Sequence, residues 1–336
     1  MRLGIIGLGS IGKRHVRSLS EIGERDIIAL RTSKGTTKKL PPDLSYVQEC
    51  WDSKEFYALS PEGVVIANPT VFHIDAMKEA LRREIPVFVE KPLANSFKQV
   101  DEIQTDKRHL VMLGLCLRYH PVIRTVMDII GTGRFGKLYT ANLYCGQYLP
   151  TWHPYADYRS EYYSRKELGG GVLRTLSHEL DLAFLFCGEI DEICSAIGRI
   201  SDLEIDVEDY ATLLCRLSRG SVVTIGLDFL NPRTSRCGML IGEHGSINYT
   251  FDPPSVIFHN RTGEEEHFLG ANYGDNGTSM TNMMYKNQME DFCAFIREKR
   301  RPAADFTDGM RMMAMITAAE ESMLNHSWVA IKKDFP

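Results

Sequence analysis

Over the first third of the chain, short runs of consecutive apolar residues alternate with segments whose apolar positions recur at helical spacing. Residues 3–6 form such a run and predict a buried strand; Ile11, Val16 and Leu19 then mark one face of a helix. Residues 26–31 predict a second strand. Polar turns fill residues 35–62, with one helix over 54–59. Strands follow over 64–67, 86–89 and 109–117, and the helical spacing of 73–84 separates the first two of these. Past residue 118 the pattern changes. Residues 139–148, 192–199, 210–217 and 221–227 alternate or run apolar at strand length, with Gly220 and the Gly242 to Gly245 stretch as turns. Residues 149–168 and 258–284 read as loops.

Strands alternating with helices imply right-handed crossovers and a parallel sheet, whereas strands joined by turns imply an antiparallel one. With 336 residues the chain is too long for one small core and suits two domains, placed at 1–118 and 119–336. The fold class expected is α/β: a parallel-sheet nucleotide-binding domain, then an α/β domain on a large, mostly antiparallel open sheet. No repeat or low-complexity tract interrupts either half.

The turn after the first strand reads Gly7-x-Gly9-x-x-Gly12. Gly7 permits the tight strand-to-helix turn, Gly9 lets the backbone approach a pyrophosphate, and Gly12 lets the helix pack on the strand. The first helical N–H groups, at Ser10, Ile11 and Gly12, then face the phosphates. A lone motif of this kind is weak; placed between a strand and a helix it predicts dinucleotide binding. The end of the second strand carries Arg31-Thr32-Ser33-Lys34 where an NAD-specific protein usually has a carboxylate for the ribose hydroxyls. Two cations and two hydroxyls suit a 2′-phosphate, so NADP is preferred over NAD; the other reading is a merely solvated basic turn. Ligands of parallel sheets bind at the strands' carboxyl ends, where Asn68 and Lys91 fall.

Composition excludes some partners. The formal net charge of −5 and the lack of a long basic run argue against nucleic acid, and no apolar run is long enough to span a membrane. The chain starts directly in a fold element, so no signal peptide is expected. Eight scattered cysteines without metal-ligand spacing read as buried free thiols in a reducing cytoplasm. No metal site is expected, because the histidines do not fall at metal spacing with acidic residues.

Four motifs in order, Gly7-x-Gly9-x-x-Gly12-x-x-His15, Ala67-Asn-Pro69-x-x-x-His73, Glu90-Lys91-Pro92 and Arg118-Tyr-His-Pro121, resemble those of the glucose–fructose oxidoreductase / inositol dehydrogenase family (Gfo/Idh/MocA). Gly169-Gly-Gly, Leu176-Ser-His178-Glu-Leu-Asp181 and the closing helical segments 289–297 and 308–326 fit the same resemblance, which therefore covers nearly the whole chain. It implies a Rossmann domain followed by a sheet domain whose open face makes a homodimer or homotetramer contact. It also implies that Asn68, Pro69, His73 and Glu90 lie at the cofactor and Arg118 at the substrate. Lys91 would touch the nicotinamide edge and the substrate hydroxyl, its pKa depressed beside the charged ring. His178 would act as general acid/base or hold the reacting hydroxyl. Unaided, Lys91 reads as a surface lysine and His178 as a hydrogen-bonded core residue.

One departure stands out. Relatives commonly carry an aspartate three residues before this histidine; here that position is Thr175, preceded by Arg174. Threonine hydrogen-bonds but takes up no proton. Either the relay runs through Lys91 and His178 alone, or the substrate differs from a plain sugar alcohol and Arg174 meets its carboxylate or phosphate. The aromatic stretch 151–159 reads as a lid, with Trp152 or Tyr158 on a sugar face and Arg159 on an anion, or as a hydrophobic plug. Its pattern resembles members in bacterial surface-glycan and nonulosonic sugar pathways. The expected function is hydride transfer between a nicotinamide and a carbinol or carbonyl carbon of a sugar derivative. The alternatives are reduction of another electrophile, such as a cyclic imine, or a non-catalytic dinucleotide sensor.

Overall fold

The computed structural model of the chain describes residues 1–32, 39–153, 156–218, 220–269 and 279–333. They form two compact units. One comprises Met1–Tyr119 with the described part of Thr278–Met313; the other comprises the described parts of His120–Gly277 and Ala314–Phe335.

The first unit is built on strands β1 Leu3–Ile6, β2 Ile27–Leu30, β3 Gln48–Cys50, β4 Gly63–Ile66, β5 Val87–Glu90 and β6 Val111–Gly114. Their order is β3-β2-β1-β4-β5-β6 and every pairing is parallel. All four residues of β1 and β4 are buried, because a central parallel strand is covered on both faces; hence their unbroken apolar runs. The edge strand β6 is buried as well, with residues 304 and 305 running along its outer side. β3 gave no such signal, since Gln48 and Glu49 are exposed and only Cys50 is buried. The strand expected over 109–117 narrows to β6, with 3₁₀ turns at Thr105–Leu110 and Cys116–Tyr119 on either side. The helices here are α1 Ser10–Glu21, α2 Ser53–Ala58, α3 His73–Leu81 and α4 Phe97–Val100. α2 starts where it does because the Asp52 carboxylate accepts from the backbone N–H groups of Lys54 and Glu55, at 2.8 and 3.1 Å.

The second unit opens with α5 Pro121–Gly131, followed by β7 Leu138–Gly146, α6 Leu149–Trp152, α7 Val172–Thr175 and α8 His178–Cys187. Strands β8 Ile190–Gly198, β9 Tyr210–Leu217, β10 Val222–Asp228, β11 Ser235–Gly242, β12 Gly245–Phe251, β13 Pro254–Asn260 and β14 Glu265–Leu269 follow, with β15 Val329–Ala330 later in the chain. They make one nine-stranded sheet, ordered β14-β13-β12-β11-β7-β10-β9-β8-β15. All its pairings are antiparallel except β7 with β10. Leu143 on β7, Leu213 on β9 and Ile225 on β10 alternate into the buried face, where each contributes about 1.5–3 kcal/mol. α8 covers β7 and β10 there, and α5 covers β12 and β13. On the other face Leu214 and Met239 stay exposed.

Two loop expectations need correction. Residues 258–284 contain the end of β13, the whole of β14 and the first turn of a helix. β14 escaped notice because four of its five residues are exposed, leaving no apolar alternation. Residues 149–168 carry α6 and three 3₁₀ turns. The glycine run 169–171 does not open the helix of His178 directly; the separate turn of α7 intervenes.

After the second sheet the chain returns to the first unit. α9 Met280–Glu298 packs along α1, and its Phe292 meets Phe88 of β5 edge-on with ring centroids 5.7 Å apart. Leu113 of β6 donates its N–H to the Ala304 carbonyl at 3.0 Å. The last long helix, α10 Phe306–Asn325, is divided, with its residues up to Met313 in the first unit. The single cut expected at residue 118 therefore leaves out this return. Among the described residues no helix is long and apolar enough to cross a membrane, and no group of three His, Cys, Asp or Glu side chains is placed to hold a metal.

Candidate functional site

In the first unit the carboxyl ends of β1, β4 and β5 are tied together by specific contacts. Gly7 has φ +96°, and a Cβ there would approach the backbone of Ala67 and Asn68 at 2.7–2.8 Å, so the end of β4 requires a glycine opposite it. A Cβ on Gly12 would fall on the Gly7 carbonyl oxygen. Gly9 differs: nothing lies within 4 Å of where its Cβ would be. Gly9 is also the N-cap residue of α1 and supplies no side-chain cap, leaving the helix's first N–H groups, from Ser10 onward, open to an anion. Space above one glycine and close packing at the other two is what a pyrophosphate-binding turn requires.

His73 begins α3 and is 1% exposed. Its Nδ1 lies 2.9 Å from the Pro92 carbonyl oxygen and its Nε2 3.0 Å from that of Asn68. Burial pushes its pKa below the usual histidine value, so the neutral ring donates to one carbonyl at a time. His73 thus pins the chain after β4 to the chain after β5. Pro69 precedes the 3₁₀ turn Thr70–Phe72, and the Asn68 Oδ1 is buried without a hydrogen-bond partner among the described residues. That atom, the open space at Gly9 and the uncapped α1 fit a dinucleotide.

Glu90 ends β5. One carboxylate oxygen is 2.7 Å from His15 Nε2, and the other accepts from the Lys91 backbone N–H at 3.3 Å. Gly114, on the neighbouring strand, makes room for it: a Cβ there would come within 3.1 Å of the carboxylate. The half-buried Lys91 follows, joined to Pro92 by a cis peptide bond. Tyr285 of α9, which carried no sequence signal, stands edge-on to the His15 ring at 5.8 Å, with the Arg14 guanidinium 5.0 Å from its own ring centroid.

At the end of β2, Arg31 is not an open cation. It is buried, pairs with Glu49 of β3 and lies 5.1 Å from the ring centroid of the exposed Trp51. Thr32 is exposed, whereas Ser33 and Lys34 lie outside the described residues. Arg118, expected at the substrate, instead donates to the Ala303 carbonyl at 2.6 Å and to Asp308 at 3.0 Å, clamping the returning segment.

In the second unit His178 is the first residue of α8, 9% exposed, on the same helix as the buried Asp181. Glu179 turns away from that face, as its position on the helix requires, and pairs with Arg236, which reaches one oxygen through Nε at 2.6 Å. Thr175 ends α7 and is buried. Arg174 pairs with Glu320 of α10, and Arg159 with Asp157 and Glu204, both at 2.9 Å. The two arginines expected to meet a substrate anion therefore already meet carboxylates. Tyr158 accepts from the Glu204 N–H at 3.4 Å through its hydroxyl. Trp152 packs on Tyr163 and Phe229, at 5.0 and 6.0 Å between ring centroids, an arrangement nearer the plug reading of this stretch than an open lid.

Residues 1–113 match the oxidoreductase family with the NAD-binding Rossmann fold, and residues 123–248 match the GFO/IDH/MocA C-terminal domain. Inositol 2-dehydrogenase of Rhizobium meliloti is 23% identical over 98% of this chain and 99% of its own. Among solved structures, levoglucosan dehydrogenase in complex with NADH superposes with a TM-score of 0.82 at 18% identity, covering 99% of this chain and 100% of that one. The WlbA dehydrogenase of Bordetella pertussis, in complex with NADH and UDP-GlcNAcA, gives 0.78 at 17% identity, covering 99% and 98%. The glycine turn, the Glu90-Lys91-Pro92 corner and the two sheets thus agree with the matched sequence, and the chain is an oxidoreductase of the GFO/IDH/MocA family with an NAD-binding Rossmann domain.

Proposed function

We propose that this protein oxidises a carbinol, or reduces the corresponding carbonyl, on a sugar or sugar-acid derivative. The observation that carries the reading is the linked chain Gly9, Asn68, His73, Glu90 and Lys91, which sets an uncapped helix end and a braced lysine at the carboxyl edge of one parallel sheet. When bound, the nicotinamide supplies or accepts the hydride. Lys91 handles the proton of the reacting hydroxyl, and His178 holds that hydroxyl or exchanges its proton. Thr175 takes up no proton where a carboxylate would, so the relay has no third carboxyl member at that position.

NADP is the preferred dinucleotide in this reading, supported by Arg31, Thr32 and the basic residues that follow them in the sequence. The substrate is a sugar or sugar-acid derivative, such as a precursor of a surface glycan, in keeping with the likeness to inositol 2-dehydrogenase, levoglucosan dehydrogenase and the WlbA dehydrogenase. The protein works in the cytoplasm, in keeping with eight free cysteines, and as a homodimer or homotetramer through the exposed face of the nine-stranded sheet.

The test is a panel of cyclitols, sugars and nucleotide-sugar acids with either dinucleotide, run on the wild type and on Lys91→Ala. The variant should bind dinucleotide within a few-fold of wild type and turn over about 10²–10⁴-fold more slowly. Turnover of a cyclic imine alone would favour the other reductase reading. Dinucleotide binding without turnover of any compound would favour a sensor.

A further inference from the structure

The end of β2 lacks the carboxylate that usually receives the adenosine ribose, yet a carboxylate is present one strand away. β3 runs parallel to β2 with Ala29 opposite Glu49 and Leu30 opposite Cys50, and the Arg31 N–H donates to the Cys50 carbonyl at 2.9 Å. This register sets Glu49 opposite Ala29, two residues before Arg31 and on the same side of the sheet, and its carboxylate pairs with the Arg31 guanidinium. The Arg31 side chain is only 5% exposed, but Glu49 is 33% exposed, so the acid forms the outer rim of the pair. Trp51, 57% exposed, lies over the same guanidinium.

We propose that Glu49, through its pairing with Arg31, determines the dinucleotide choice of this protein. The inference rests on dinucleotide binding as read above and concerns only which form is held. A 2′-phosphate must compete with Glu49 for the guanidinium fork and meets like-charge repulsion from the carboxylate. A 2′-hydroxyl can donate to Glu49 without displacing anything. Glu49 therefore narrows the advantage that Arg31 gives the phosphorylated cofactor, so the wild type, while preferring it, accepts the other form as well. Trp51, with its ring centroid 5.1 Å from the guanidinium carbon, and burial of the Arg31 side chain hold the cation in place, so the contest is decided by charge rather than by movement of Arg31.

The experiment is titration of the full chain with NADPH and with NADH, followed by tryptophan quenching or calorimetry, for wild type, Glu49→Gln and Glu49→Asp. The Glu49→Gln variant should shift the ratio of the two dissociation constants toward NADPH by about tenfold or more, with NADH binding unchanged or weaker. Its NADPH affinity should also fall more steeply with salt than the wild type's, because the phosphate then meets an unopposed cation. Glu49→Asp, a shortened acid, should move the ratio in the same direction by less, and it keeps the test intact if the glutamine variant does not fold. A ratio within about twofold of wild type in a folded variant overturns the inference while leaving dinucleotide binding in place. Failure of wild type to bind either dinucleotide overturns both.

Discussion

His15 Nε2 and a carboxylate oxygen of Glu90 lie 2.7 Å apart, joining the first helix to the end of β5 behind the lysine. The His15 side chain is fully buried and that of Glu90 13% exposed. A carboxylate can only accept, so Nε2 is the donor of this pair, while Nδ1 is buried without a hydrogen-bond partner among the described residues. The other carboxylate oxygen faces the Lys91 backbone N–H. Glu90→Gln should therefore leave dinucleotide affinity within about threefold and lower kcat by about 10–100-fold, through loss of the geometry around Lys91. His15→Ala should lower unfolding stability by about 1–3 kcal/mol in urea, since it strands the carboxylate. An unchanged kcat in Glu90→Gln would remove the brace from the account.

The glycines of the first turn separate folding from binding. At Gly9 the backbone is extended with φ −69°, and a methyl group would meet no protein atom. Gly9→Ala should unfold within about 0.5 kcal/mol of wild type yet lose at least about tenfold in dinucleotide affinity. Gly12→Ala, which drives a methyl onto the Gly7 carbonyl, should cost about 1–3 kcal/mol of stability. Paired melting and titration curves for the two variants decide this. Wild-type affinity in Gly9→Ala would mean the phosphates do not approach there.

Behind His178, the Glu179 side chain is fully buried and depends on Arg236. Arg236→Ala should destabilise the protein by about 3 kcal/mol, because it leaves a buried carboxylate uncompensated. The double change Glu179→Gln with Arg236→Met should recover most of that loss. Denaturant titrations of the two single variants and the double variant provide the cycle.

His120 caps α5 by accepting from the Val122 N–H through Nδ1, and its ring stacks on Phe251 at 4.1 Å. Burial first, then the nearby positive charge of Arg236, lowers its pKa to about 4. The unfolded chain binds this proton near pH 6.5, the folded chain only near pH 4. The stability held above pH 6.5 is therefore lost as pH falls toward 4, by up to about 3 kcal/mol. Burial raises the Glu208 carboxyl, which acts with the opposite sign over acid pH, so the comparison must isolate His120. His120→Asn keeps a capping side chain and should flatten the pH dependence between 6.5 and 4 relative to wild type. Equal slopes for the two proteins would exclude His120.

Much of this architecture was legible in the chain itself. Unbroken apolar runs identified β1 and β4 because those strands are covered on both faces, and alternation identified β9 and β10 because theirs is covered on one. What escaped notice had no apolar signature: the three residues of β3, the solvent-facing β14, and the start of α9, set by Ser279 capping rather than by periodicity. Charge was the least legible property. Arg31, Arg118, Arg159 and Arg174 all read as open cations, yet each meets a carboxylate, on Glu49, Asp308, Asp157 and Glu320 respectively. Those partners sit from two to 190 positions away along the chain, and only the fold brings the distant ones together.

The return of α9 to α1, and of Ala304 to the edge of β6, makes completion of the nucleotide-binding sheet depend on residues synthesised long after its own strands. On the ribosome residues 1–119 emerge with the α1 face uncovered and the outer edge of β6 bare, an edge open to other chains. A fragment ending at residue 119 would retain that exposure permanently, and a chaperone that shields apolar surface would find its target there.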